Sequence, residues 1–108
     1  VTMTPLSKRA SLAAVCILAL PALSAQAAEI STQTAANMAN NCFSCHGPDG
    51  RSPGTIPSLH TLTAANIDAL LKQFRSGERP STVMGRHAKG YTDEEITALA
   101  QYIGSIKK

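Results

Sequence analysis

The chain has 108 residues, with ten Lys plus Arg against seven Asp plus Glu and a formal charge of +3, which suits one small domain and excludes a long multidomain enzyme. It carries three Cys, two Phe, two Tyr and no Trp, so a core built from large aromatic side chains is also excluded.

The first element is a leader. Lys8 and Arg9 precede an apolar run over residues 10–23, and Ala25-Gln26-Ala27 follows, the pattern of a secretory signal with a small-residue cleavage site. The run of 14 residues is short for a membrane span, so an uncleaved anchor is the weaker reading. The bulky Val15 before Cys16 argues against a lipoprotein. Removal of residues 1–27 leaves a domain over 28–108 with eight basic and seven acidic side chains, a net +1. No basic stripe survives that could neutralise many phosphates, so no nucleic-acid partner is expected. The exported domain is expected in the periplasm, with no membrane span after the leader is removed.

Residues 31–43 are Ala-rich, with Ala35, Ala36, Met38, Ala39, Cys42 and Phe43 at near-helical recurrence, and form a first helix that runs into Cys42-Phe43-Ser44-Cys45-His46. C-x-x-C-H is the pattern of covalent c-type haem attachment. On a helix, positions 42 and 45 share a face, so both thiols reach the two vinyl groups at one porphyrin edge. His46 then brings an imidazole nitrogen to the iron as proximal ligand and keeps the other nitrogen for a hydrogen bond that fixes its tautomer. A thioredoxin-like dithiol needs a βαβ pattern that is missing here. A zinc site using His60 or His87 lacks finger-like spacing, and a Cys42–Cys45 disulfide closes a very short loop. One covalently bound haem c is the expected cofactor, and it supplies the core that an 81-residue domain is otherwise short of.

From residue 47 to 57, Gly47, Pro48, Gly50, Pro53, Gly54 and Pro57 dictate a loop. Residues 63–76 carry Ile67, Leu70, Leu71 and Phe74 at i, i+3, i+4, i+7, with Thr63 as N-cap and Gly77 as stop, and read as a second helix. Residues 77–90 are expected to be irregular and hold Met84. The last helix opens on the capping box Thr92-Asp93-Glu94-Glu95, with Tyr91 placed to staple onto Ile96. It continues through Leu99, Ala100, Ile103 and Ile106 at helical spacing. The acidic triplet suits the helix dipole and is read as capping rather than catalysis. The fold class is all-α, three main helices and loops wrapped around one haem.

The opposite iron position decides between electron transfer and open-site chemistry on peroxide or gases. Met84, in the segment between two amphipathic helices, is the preferred distal ligand, and His87, three residues on, is its rival. Met38 reads as core packing, and His60 as surface or as a neighbour of the proximal side.

These residues resemble the class I cytochromes c across nearly the whole mature chain. The resemblance implies a C-terminal helix packed across the first, Cys42 and Cys45 as thioether sites, His46 as proximal and Met84 as distal ligand. It also implies that the Pro57 carbonyl accepts the His46 ring N–H and that Leu59 packs on the haem. More narrowly, Cys45-His46-Gly47-Pro48-Asp49-Gly50-Arg51-Ser52, Ile56-Pro57-Ser58-Leu59 and Ser81-Thr82-Val83-Met84-Gly85-Arg86-His87-Ala88-Lys89-Gly90-Tyr91 are similar to the cytochrome subunit of flavocytochrome c sulfide dehydrogenase. His87 departs from that family, where an apolar residue is expected. The resemblance implies an electron-transfer subunit, not an enzyme by itself, that accepts electrons from a sulfide-oxidising flavoprotein and hands them to a redox acceptor protein. A free periplasmic carrier between other dehydrogenases and a terminal oxidase is the alternative. Lys72, Arg75, Arg79, Arg86 and Lys89 against Asp68 and Glu78 give residues 66–91 a local +3 that could steer an acidic partner.

Overall fold

The computed structural model describes residues 28–106 and Thr2. The expected leader lies, Thr2 apart, outside the described residues. Within them the chain is all-helical: α1 (Thr32–His46), a 3₁₀ turn (Pro48–Gly50), α2 (Ala64–Ser76), α3 (Met84–Ala88) and α4 (Asp93–Ser105).

Each long helix starts on a side-chain cap. Ser31 Oγ accepts from the Thr34 amide at 3.1 Å, and Thr63 Oγ1 accepts from the Asn66 amide at 3.2 Å. At α4 the box is complete: Glu95 N donates to Thr92 Oγ1 at 3.2 Å and Thr92 N to Glu95 Oε2 at 2.8 Å. α2 ends on Gly77 in the left-handed region, φ 82°. α1 runs one turn further than residues 31–43, so the whole C-x-x-C-H motif is helical.

The apolar stripe of α4 is the centre of the molecule. Ile96, Leu99 and Ile103 are its largest fully buried side chains, each contributing about 1.5–3 kcal/mol by burial. α4 packs on α1 through the small Ala35 and Ala39 side, and on α2 through Ile67 and Leu71. Gly104 makes the second contact close, because a Cβ there would stand 2.7 Å from the Ala64 amide nitrogen.

Two expectations are corrected. Residues 77–90 are not irregular throughout, since 84–88 form α3, held on α2 with Ala88 fully buried. The loop from Gly47 also contains the 3₁₀ turn, in which Asp49 is left-handed at φ 54°. Both elements are too short for hydrophobic periodicity to reveal. Among the described residues no helix is long and apolar enough to cross a membrane.

Candidate functional site

A cavity of about 470 Å³ opens between the C-terminal end of α1 and the segment that carries α3. Its volume lies in the range of small-molecule and cofactor sites. Cys42, Cys45 and His46 line one wall, Met84 and His87 another, and Leu71, Phe74 and Leu99 supply apolar surface.

The first wall is set by α1 and by the loop that doubles back beneath it. Cys42 is half-buried, and burial pushes its thiol up from the ordinary cysteine value against a smaller downward pull from a backbone hydrogen bond. Cys45 is exposed, and neither cysteine is in a disulfide. His46 is buried, and its Nδ1–H donates to the Pro57 carbonyl at 2.5 Å. Its other ring nitrogen has no partner among the described residues, and the ring lines the cavity.

Three features return Pro57 to His46. Gly47, at φ 86°, turns the chain so tightly that a Cβ would meet the Arg51 carbonyl oxygen at 2.1 Å. The Gly50 carbonyl accepts the amides of Leu59 at 2.7 Å and His60 at 3.2 Å, and Ser58 Oγ accepts the Ser52 amide at 2.9 Å.

On the far side, the Gly85 amide donates to Ser81 Oγ at 2.8 Å, which pins the start of α3. Arg79 lies over the Phe74 ring, 5.6 Å from its centroid, and both line the cavity. Arg75 reaches from α2 to the Tyr91 carbonyl at 3.1 Å and to the Asp93 carboxylate, tying this segment to the start of α4. Asp93 is therefore held below the usual carboxylate range, first by the Arg75 hydrogen bond and then by its charge.

The structure thus gathers Cys42, Cys45, His46, Pro57, Met84 and His87 around one cavity. Leu59 and Met38 are half-buried and pack against the apolar core instead. His60 turns its Nδ1 towards the Gly50 carbonyl at 3.4 Å. Neither of the first two nor His60 lines the cavity. Arg79, Ser81 and Tyr91 line it too, although the sequence marks Arg79 only as a surface charge, Ser81 only within the family-like stretch and Tyr91 there and as a staple onto Ile96. Phe74 and Leu71 carried only a helical-period signal, which does not separate a core face from a cofactor wall. Among the described residues no three His, Cys, Asp or Glu side chains gather as a metal site.

The donor set suits a haem: two thiols and an imidazole nitrogen on one wall, a thioether opposite, and apolar surface between. A family model described as cytochrome c oxidase, cbb3-type, subunit III matches residues 29–103. The chain belongs to this family of c-type cytochrome domains. The cytochrome is 50% identical to the cytochrome subunit of sulfide dehydrogenase from Chlorobaculum tepidum over 63% of this chain and 62% of that protein, so it spans somewhat less than two thirds of that relative. It is 33% identical to cytochrome c-553 of Helicobacter pylori over 84% of this chain and 96% of that one. The thiosulfate dehydrogenase electron acceptor of Stutzerimonas stutzeri matches at 36% over 60% of this chain and 32% of its own length. The cytochrome is an electron-transfer haem protein of the small class I kind.

Proposed function

We propose that this chain is the single-haem electron-accepting subunit of a sulfide-oxidising flavoprotein assembly, exported to the periplasm. The observation that carries the haem site is the meeting of Cys42, Cys45 and His46 with Met84 across one apolar cavity. The sulfide assignment rests on the 50% identity to the Chlorobaculum tepidum subunit.

A bound haem supplies a one-electron iron couple. Cys42 and Cys45, one helical turn apart on α1, hold it by two thioether bonds. The other nitrogen of His46 would ligate the iron, while the bond from Nδ1 to Pro57 fixes the tautomer and ring orientation. Met84 would supply a thioether ligand, which raises the potential relative to a second imidazole. Leu71, Phe74 and Leu99 exclude water from the apolar side. With both His46 and Met84 as ligands, the iron would have no open position for peroxide or gases.

A free carrier is the second reading. It is favoured by the match to almost the whole length, 96%, of a small cytochrome c-553.

The test is to tag the C-terminus, isolate the protein gently from its native host, and record the absorption spectrum before and after adding sulfide. Co-eluting flavin and a haem reduced by sulfide support the subunit reading. A lone haem protein that ignores sulfide overturns it in favour of the carrier.

A further inference from the structure

The cavity presents two different iron donors on one short helix. Met84 and His87 stand three residues apart in α3, about one turn, and both line the cavity opposite His46. Met84 is half-buried, whereas His87 is exposed. The His87 ring makes no hydrogen bond or ion pair among the described residues.

The helix that carries them is short. It has five residues and includes Gly85; the Arg86 and His87 amides donate to the Val83 carbonyl at 2.9 and 3.3 Å, the Lys89 amide to the Gly85 carbonyl at 3.2 Å, and the Gly85 amide to Ser81 Oγ at 2.8 Å. Its fixed point is Ala88, fully buried and directly after His87. Positions three apart on a helix differ in direction by about 60°, so a rotation of that order about the Ala88 anchor exchanges which of the two side chains points deepest.

The geometry points to His87 as a built-in second distal ligand, which takes the iron when the Met84 thioether is lost. This rests on the haem reading above. The exchange is a substitution at the metal: the Met84 sulfur–iron bond breaks and a His87 nitrogen–iron bond forms, with no change in electron count. Met84 is the resting ligand because it lies deeper. Two imidazoles lower the potential relative to His and Met, so the switch turns an electron acceptor into a weaker one without losing the haem.

The experiment compares ferric spectra, by absorption and electron paramagnetic resonance at neutral pH, of the haem-loaded wild type, Met84→Ala, His87→Ala and the double variant. Met84→Ala is expected to stay low-spin with a two-imidazole signature and a lowered potential. The double variant is expected to become high-spin and return to low-spin on adding imidazole, and His87→Ala is expected to keep the wild-type spectrum. A high-spin Met84→Ala, or a double variant that stays low-spin, overturns the proposal. If Met84→Ala does not accumulate, the volume-conserving Met84→Leu, alone and with His87→Ala, is read in the same way. A wild type that carries no covalent haem overturns the underlying haem reading instead, so the two failures are distinct.

Discussion

His46 and Pro57, eleven residues apart, are joined by the imidazole Nδ1–H and a backbone carbonyl at 2.5 Å. The bond depends on the turn at Gly47, where any side chain runs into the Arg51 carbonyl. Gly47→Ala is therefore expected to cost well over about 1 kcal/mol, since it combines a positive φ with a backbone clash. Both the urea midpoint and the yield of haem-loaded protein should fall. A variant with wild-type midpoint and yield would mean that the loop reaches Pro57 by another path.

Leu99 serves the core and the cavity together, being fully buried on α4 and also part of the cavity wall. Leu99→Ala is expected to destabilise the domain by about 2–5 kcal/mol through lost burial and the void left behind. Chemical denaturation of the haem-loaded protein checks this. Ala98, half-buried on the same helix but outside that cavity, provides the contrast: Ala98→Ser should change stability by less than about 0.5 kcal/mol.

Asp93 gives a pH-dependent signature of the tie between α2 and α4. Arg75 lowers its folded pKa, so the carboxylate stabilises the fold fully above the unfolded value, and this is lost as pH falls through the lowered folded value. Asp93→Asn should thus be less stable than the wild type near neutral pH, with the gap closing below about pH 4, the ordinary range for an Asp. Urea midpoints across that interval are the measurement. A gap that persists unchanged at the acid end would show that the charge on Asp93 is not its source.

The long helices were legible because their signals are local: Thr63, Thr92 and Glu95 cap where the sequence places caps, and the apolar stripe of α4 has a clear period. The C-x-x-C-H motif is legible for the same reason, being contiguous. α3 was not, because five residues around Gly85 are too few to carry a period, and its stability comes from resting on α2. Pro57 entered only through family resemblance, since no periodicity announces a carbonyl that folds back on a histidine. Charge was half legible. Five cations were counted towards a steering patch, but Lys72 is bound to Asp68 at 2.8 Å, and Arg75 to Asp93 across eighteen residues, a pairing set only by the tertiary fold.

That accounting narrows the steering charges to Arg79, Arg86 and Lys89, beside an apolar rim. Ile56 and Val83 are the exposed large hydrophobic side chains among the described residues, at 44% and 53%, and both border the cavity. Val83 caps α3, so Arg86, three residues on, sits about one turn away. Arg86→Glu with Lys89→Glu should slow electron exchange with the anionic reagent hexacyanoferrate by roughly tenfold at low ionic strength. The difference should vanish near about 1 M salt, where the Debye length falls to about 3 Å. The haem spectrum should be unchanged, because neither side chain lines the cavity. Lys72→Glu serves as the comparison, since Lys72 is engaged with Asp68 and stands away from the cavity. If that single change slows the anion as much as the double one, net charge governs the rate and the position of Arg86 and Lys89 does not.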